Sequence, residues 1–196
     1  MVVHDNTLRD GEQQAGVVFS KQEKLHIAHA LNEVGIDRIE VGMPVVSKDD
    51  FEVMKTLASE DLNSKLYCLA RATKEDVDAA TECGAYGLVM EIPSSKHIHE
   101  ALGWTKEEAI SKLVTATQHA VDRGLHVGVF PWDTTRADLS DYLDIAKAAA
   151  DAHADSIAVV DTFGVAVPNV VKHLIKKLKA TVKVPVEIHC HNDFGL

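Results

Sequence analysis

The sequence predicts an α/β fold in which repeated βα units build a parallel sheet, of the (β/α)8 TIM-barrel class. Short apolar strands alternate with amphipathic helical segments along the chain. Two segments, 35–44 and 84–93, each combine a helix-ending glycine, an apolar strand and a proline-marked loop. A barrel is favoured over an open doubly wound sheet because no G-x-G-x-x-G follows any strand and polar residues recur at several strand ends.

Seven strands and six helices follow from this alternation. The strands are predicted near 2–7, 36–41, 65–70, 87–92, 125–130, 156–160 and 184–190. The helices are predicted near 21–34, 48–59, 74–83, 105–123, 139–152 and 168–180. Ser20 and Thr73 suit helix N-caps. Thr105 with Glu108 suits a capping box, and Pro168 suits a first helical turn.

Composition limits the class of protein. The 196 residues are predicted to form one domain, 1–196, because no linker or low-complexity tract interrupts the series. TIM barrels usually need about 250 residues, so the chain is expected to cover about strands one to seven of a larger barrel. A net charge of -10 without a basic patch argues against nucleic-acid and membrane partners. Three cysteines without a C-x-x-C pair, and no signal peptide, suggest a reduced, cytoplasmic setting.

The segment from Glu187 to His191 gives the strongest indication of chemistry. A period of two places Glu187, His189 and His191 on one face of a strand, and Ile188 and Cys190 on the other. Barrel strands normally turn branched apolar side chains inward, so three polar groups there need a reason beyond packing. Two imidazoles two residues apart form half of a divalent metal site. Taken alone, an H-x-H pair is more often exposed or satisfied within a core.

An Arg-Asp-Gly turn after the first strand offers the missing ligand. Asp10 supplies a hard oxygen, and Arg9 beside it supplies a cation that faces anions. Alternate strands of a barrel contribute side chains to one layer, so strands one and seven can aim Asp10, His189 and His191 at one point. Asp-Gly alone usually marks a turn. The combination of the two segments therefore predicts the metal site.

Four motifs together point to a family. They are Asp5-Asn-Thr-Leu-Arg-Asp-Gly-Glu-Gln13, Ile39-Glu-Val-Gly-Met-Pro44, Asp161-Thr-Phe-Gly164 and Glu187-Ile-His-Cys-His-Asn-Asp193. The set resembles the DRE-TIM metallolyases, particularly their 2-isopropylmalate, homocitrate and citramalate synthase branch, over essentially the whole chain. The resemblance implies an acyltransferase of carboxylic and amino-acid biosynthesis that forms a homodimer, as its relatives do. It implies metal-dependent Claisen-type condensation of an acyl-CoA, commonly acetyl-CoA, with a 2-oxo acid.

The resemblance also implies roles for individual residues. Asp10, His189 and His191 match the family's ligands to Mg²⁺ or Mn²⁺, and sometimes Zn²⁺. Arg9 matches the arginine that faces the keto oxygen and is one catalytic candidate. Glu187 is the other, expected to orient a ligand or to form a structural ion pair. The candidates for substrate binding are Gln13, Glu40, His97, Thr162 and Trp132. No residue is assigned as the general base.

Two departures from the family pattern bear on the substrate. Segment 129–136 aligns with a motif that usually reads Phe-Ser-x-Glu-Asp-x-x-Arg, and Trp132 stands where the glutamate is expected. Gly128 stands where homocitrate-type relatives carry an arginine for the distal carboxylate. We therefore expect an oxo acid without a second carboxylate, with Trp132 lining its pocket. Two alternatives stay open: a carbon–carbon lyase or aldolase of the same family, which Trp132 favours, and a non-catalytic barrel piece.

Overall fold

The computed structural model describes residues 1–196. The strands are β1 His4–Asp5, β2 Arg38–Glu40, β3 Lys65–Arg71, β4 Gly87–Pro93, β5 His126–Trp132, β6 Ser156–Asp161 and β7 Val186–Cys190. The helices are α1 Lys21–Glu33, α2 Lys48–Ala58, α3 Lys74–Glu82, α4 Lys96–Leu102, α5 Lys106–Asp122, α6 Leu139–Asp151 and α7 Pro168–Thr181. All predicted strands and helices are confirmed. None of the helices combines the length and the apolar character that crossing a membrane requires.

The strands follow one another in the sheet in chain order, from β1 to β7. The pairs β1–β2, β2–β3, β5–β6 and β6–β7 are parallel. Parallel neighbours need a crossover connection, and α1, α2, α6 and α7 supply it for these pairs. The register sets Val160 opposite His189 and Asp161 opposite Cys190. The predicted βα repeat is therefore confirmed over seven strands.

Two compact units make up the chain. The first comprises Met1–Ala70 and Lys74–Val89, and the second comprises Arg71–Thr73 and Met90–Leu196. The first unit buries aliphatic side chains of β2 and α2, among them Ile39, Val53 and Leu57. The second buries those of α5, α6 and β6, among them Leu113, Ile145 and Ile157. Each unit thus has apolar contacts of its own, and the single domain 1–196 stays a prediction.

Side-chain caps begin two of the helices as predicted. At α1, Ser20 Oγ accepts from the Glu23 amide, and the Glu23 carboxylate accepts from the Ser20 amide at 2.8 Å. Thr105 and Glu108 form the same capping box at α5. Pro168 opens α7, where its missing N–H removes no intrahelical hydrogen bond. The local sequence therefore fixes where these three helices begin.

Helix α4 is the regular helix that the sequence analysis did not predict. Its 7 residues are too few to show a periodic apolar face. The helix begins after Ser95 and ends at Gly103, which takes the left-handed conformation. His99 lies buried in it, and its Nε2 is 2.9 Å from the Pro93 carbonyl oxygen. This contact draws the His99 ring inward, away from solvent.

A hydrogen bond from Tyr142 connects α6 to β6. Its side chain is fully buried, and its hydroxyl donates to the Ala158 carbonyl at 3.0 Å. Burial raises the pKa of Tyr142 well above its ordinary value, so the hydroxyl keeps its proton. Ala158 pairs with Glu187 of β7, which places this hydrogen bond on the strand next to the histidine strand.

We expect Tyr142→Phe to lower the free energy of unfolding by about 1 kcal/mol, since it removes one buried hydrogen bond and keeps the ring. Urea denaturation measures the loss. Tyr142→Leu also removes ring atoms and should cost more than Tyr142→Phe. Equal stability of Tyr142→Phe and the native protein would contradict the role given to the hydroxyl.

Candidate metal centre

Strand β7 presents its histidines on the less exposed of its two faces. Ile188 and Cys190 are exposed, whereas Glu187, His189 and His191 are half-buried. The predicted alternation of faces is therefore confirmed. Cys190 points away from the histidines as expected, and it is exposed.

The two imidazoles converge at the carboxyl end of β7. Their Nε2 atoms lie 3.2 Å apart, and the ring planes meet at 78° with 5.0 Å between centroids. The Phe130 ring of β5 lies 6.2 Å from that of His189. The His191 amide donates to the Asp161 carbonyl at 3.1 Å, which fixes the backbone just beyond the strand.

This separation suits two neighbouring ligands of one cation. Metal–nitrogen distances of about 2.0–2.1 Å imply about 3.3 Å between ligand atoms at a tetrahedral angle and about 2.9 Å at an octahedral one. The Nε2 atoms of His189 and His191, at 3.2 Å, fall between these values. An imidazole–imidazole hydrogen bond suits the same distance. The pair therefore fits a divalent cation without selecting which one.

A glycine turn supports the histidine end of the sheet. Gly164 has a φ of +60, and a Cβ on it would lie 2.8 Å from both the His191 carbonyl oxygen and the Asp193 amide nitrogen. Its own amide donates to the Asp161 carbonyl at 3.2 Å. The Asp161-Thr-Phe-Gly164 motif thus packs backbone to backbone against the residues that follow β7, which only glycine permits.

In the first unit, Arg9 lies between two carboxylates. Its Nε and Nη2 donate to the two carboxylate oxygens of Glu40 at 2.7 and 3.1 Å, and its Nη1 donates to Asp10 Oδ1 at 2.8 Å. The Glu40 side chain is only 3% exposed and that of Arg9 11%. A bidentate pair of this kind holds the guanidinium plane in one orientation. Arg9 and Asp10 are therefore neighbours as predicted, and Glu40 contacts Arg9 directly.

Glu187 accepts a hydrogen bond from the amino end of β6, the end of the sheet away from the histidines. Ser156 Oγ donates to Glu187 Oε1 at 2.6 Å, and Ser156 is the first residue of β6. His189 and His191 lie at the carboxyl end of β7. This hydrogen bond favours a structural role for Glu187, and its catalytic role stays a prediction.

Two substrate-binding candidates meet where β5 and β6 end. The half-buried Trp132 is held by its backbone, whose carbonyl accepts from the Ser94 amide at 3.1 Å and from Ser94 Oγ at 2.7 Å. Thr162 Oγ1 accepts from the Asp133 amide at 2.8 Å. Thr162 therefore contacts the residue that follows Trp132, which ties the two strand ends together.

The sequence analysis missed the role of Asp133. This residue is fully buried with a left-handed φ of 65. Its carboxylate accepts from Arg136 Nε at 2.7 Å, from Arg136 Nη2 at 2.8 Å and from Ser95 Oγ. The Arg136 guanidinium in turn lies 3.9 Å from the centre of the Phe163 ring. The available signal was the Asp-x-x-Arg spacing after a strand, since a buried carboxylate requires a partner.

The remaining candidates lie apart from the histidine strand in the sequence. Gln13 follows Asp10 in a short 3-10 helix, Gly11–Gln13, and lines a cavity of about 170 Å³ together with Arg9 and Met43. His97 is exposed on the first turn of α4. No hydrogen bond joins His97 to another candidate, so its role in substrate binding stays a prediction.

Sequence comparison identifies the family. A model described as HMGL-like matches residues 1–196. Homocitrate synthase AksA of Methanopyrus kandleri is 37% identical over 197 residues, 100% of this chain and 50% of the relative. A putative (R)-citramalate synthase CimA of Archaeoglobus fulgidus is 42% identical, covering 98% of this chain and 40% of the relative. A 2-isopropylmalate synthase of Methanocaldococcus jannaschii is 41% identical, with 99% and 38% covered. The chain belongs to the HMGL-like family, as the motifs predicted.

Solved structures support the fold. The HMG-CoA lyase of Brucella melitensis aligns with a TM-score of 0.87 over 99% of this chain and 73% of that chain, at 19% identity. The lyase of Pseudomonas aeruginosa aligns with a TM-score of 0.85 over 99% and 69%, at 18% identity. At such identities the likeness concerns the fold alone, and it confirms the TIM-barrel class over about strands one to seven. The chain spans half or less of the curated relatives named above.

We expect Gly164→Ala to destabilise the protein more than Gly103→Ala. Both glycines have left-handed φ values, +60 and +68, but a Cβ at position 103 meets nothing within 4 Å. The backbone conformation costs of order 1 kcal/mol at either position, so the excess at Gly164 reports the contact with His191. Unfolding free energies from urea denaturation give this difference. Equal losses in the two variants would show that the turn does not press on the histidine segment.

Proposed function

We propose that this chain forms the barrel part of a divalent-metal-dependent enzyme that condenses an acyl-CoA with a 2-oxo acid. Acetyl-CoA is the proposed acyl donor, and the products are a 2-alkylmalate-type acid and CoA. Support comes from the curated relatives, which are named as homocitrate, citramalate and 2-isopropylmalate synthases and match nearly the whole chain. The single observation that carries the metal centre is the convergence of the His189 and His191 Nε2 atoms.

Asp10 is the proposed third ligand of this cation, as the sequence predicts. It follows β1 directly, and the carboxyl ends of parallel barrel strands share one face of the fold. Its carboxylate supplies the hard oxygen that Mg²⁺ or Mn²⁺ prefers, and the two imidazoles also suit Zn²⁺. A bound cation would polarise the keto group of the oxo acid as a Lewis acid.

The chain's own side chains would bind and orient the oxo acid. Arg9, held in place by Glu40, would direct its cation at the keto oxygen, where negative charge develops during addition. The Thr162 oxygen accepts from the Asp133 amide, so its O–H remains able to donate to a substrate carboxylate. Gln13 can donate from its side-chain amide at the cavity beside Arg9.

The proposed reaction needs one proton transfer and one hydrolysis. A general base removes a methyl proton from the acyl-CoA, and the resulting enolate carbon attacks the keto carbon of the oxo acid. Hydrolysis of the thioester then releases CoA and makes the addition irreversible. Glu187 remains a catalytic candidate and His97 a substrate-binding one, and the base stays unassigned.

The proposed oxo acid lacks a distal carboxylate. Gly128, within β5, offers no side chain to pair with one, and the half-buried Trp132 provides an apolar surface at the end of the same strand. A carbon–carbon lyase is the second candidate function, and the observation that favours it is Trp132 at the position of the expected glutamate. Homodimerisation and a cytoplasmic setting stay predictions from the sequence.

The test measures thiol release from acetyl-CoA by the full-length protein, with Mg²⁺ or Mn²⁺ and a panel of 2-oxo acids. We expect release with an apolar oxo acid. His189→Ala should abolish thiol release. The loss of a ligand should lower activity by more than the factor of about 10–100 that is typical of residues that only orient metal ligands. His173→Ala is the matched control, because His173 is exposed on α7. Calorimetric titration with Mn²⁺ should show that only His189→Ala loses the metal.

Other outcomes would overturn parts of this proposal. Unchanged Mn²⁺ affinity in His189→Ala would exclude His189 as a ligand. Stoichiometric metal binding without thiol release from any pair of substrates would exclude condensation and favour the lyase, which cleavage of a 3-hydroxyacyl-CoA substrate would then reveal. Preference for an oxo acid with two carboxylates would contradict the substrate class inferred from Gly128.

A further inference from the structure

Lys24 is a buried cation that the proposed reaction does not use. It lies on α1 and is 2% exposed. Its Nζ contacts Asp50 Oδ1, lies 2.6 Å from Glu12 Oε2 and 3.4 Å from the Leu8 carbonyl oxygen. Lysine is almost never fully buried unless it is paired. The partners of Lys24 therefore deserve a functional explanation.

Each carboxylate uses its second oxygen on a different backbone segment. Glu12 Oε1 accepts from the Phe19 amide at 2.9 Å, which ties down the segment between β1 and α1. Asp50 Oδ2 accepts from the Met43 amide at 3.0 Å, which ties down the segment between β2 and α2. Lys24 is thus the common partner of two loops, here called the β1 loop (residues 6–20) and the β2 loop (residues 41–47).

The β2 loop approaches Asp50 so closely that it requires glycine. A Cβ at Gly42 would lie 2.7 Å from Asp50 Oδ2. The Asp50 carboxylate therefore sits against the loop backbone while its other oxygen faces Lys24. Lys24 is therefore connected to this loop through a single carboxylate, that of Asp50.

The charge on Lys24 is maintained despite its burial. Burial alone would lower the pKa of the ammonium group, but hydrogen bonds to Asp50 and Glu12 outweigh this effect and raise the pKa above its ordinary value. Two carboxylates and one ammonium leave one net negative charge between the loops. Removing the ammonium would leave Glu12 and Asp50 facing each other as like charges, which repel.

The two loops line one cavity of about 170 Å³. Arg9 and Gln13 line it from the β1 loop, and Met43 and Val46 line it from the β2 loop. Gln13 is adjacent to Glu12 in the chain. Lys24 therefore bridges the two loops that line the cavity beside Arg9.

We propose that Lys24 is a positioning residue that sets the distance between the β1 and β2 loops and so the placement of Arg9 and Gln13 around the 2-oxo acid. This inference rests on the proposed function and adds a residue to it. Lys24 does not touch the substrate. It acts through Glu12, which lies between Arg9 and Gln13 in the chain, and through Asp50, whose carboxylate holds the β2 loop.

The test compares Lys24→Met with Lys21→Met in the full-length protein. Lys21 lies on the same helix and pairs with Glu52 of α2 at 2.8 Å, but this pair is at the surface. We expect Lys24→Met to raise the KM for the 2-oxo acid about 10–100-fold, as changes in residues that support ligands do. The KM for acetyl-CoA and both constants of Lys21→Met should stay within a factor of about two of the native values, because the surface pair contacts neither loop.

Hydrogen exchange supplies a second readout that does not depend on activity. Faster exchange at the Phe19 and Met43 amides is expected in Lys24→Met and not in Lys21→Met. Where Lys24→Met fails to fold, Glu12→Gln replaces it, because the amide oxygen still accepts from Phe19 while the charge facing Lys24 is lost. Lys24→Arg retains the charge, so its KM for the oxo acid should lie between that of Lys24→Met and the native value.

The outcomes separate this proposal from the proposed function. Unchanged exchange at both amides overturns the positioning role whatever the kinetics show. Faster exchange with an unchanged oxo-acid KM would show that Lys24 holds the two loops without affecting the binding of the oxo acid. This result also overturns the positioning role. A native protein without condensation activity overturns the proposed function, and faster exchange in Lys24→Met would then still support the bridging of the two loops.

Discussion

The candidate site depends on one constraint: carboxylates that leave water must be paired with cations or accept hydrogen bonds. Three cations provide such pairing in the two units: Arg9 for Glu40, Lys24 for Asp50 and Glu12, and Arg136 for Asp133. The Arg9 pair joins the segment after β1 to the end of β2, and the Arg136 pair lies within the segment that follows β5. Lys24 joins Glu12 of the β1 loop to Asp50 of α2. Loops at strand ends have few apolar contacts of their own, so directional charged hydrogen bonds are what give them a defined geometry. Arg9 and Asp133, the residue after Trp132, are held in position by these pairs.

Sequence reasoning succeeded where a feature repeats or is strictly local. Periods of two and 3.6 identified the strands and the long helices, and the same period of two placed His189 and His191 on one face. It failed at α4, whose 7 residues show no period. The partners of Lys24 and the left-handed backbone of Asp133 depend on tertiary contacts. No local pattern specifies them.

The choice between condensation and cleavage cannot come from the fold, because one barrel serves many reactions. The alignment with HMG-CoA lyases is close in shape and distant in sequence, at 18–19% identity. The named synthases are at 37–42% identity over almost all of this chain. Side chains at the strand ends determine the chemistry, and the higher overall identity to the synthases supports the proposed condensation. Trp132, at the end of β5, stands where the family pattern leads us to expect a glutamate.

Stability and positioning make separate demands on a buried ion pair. Desolvation of the charges offsets most of their attraction, so a well-packed apolar replacement is often as stable as the pair it replaces. The contacts of an apolar side chain are not directional, however, whereas the Lys24 ammonium must pair with Glu12 and Asp50 at the same time. A fold that needed only stability would have no reason to bury this cation between two loops. The geometry of the cavity beside Arg9 supplies a reason, since its two walls are the segments that the cation joins.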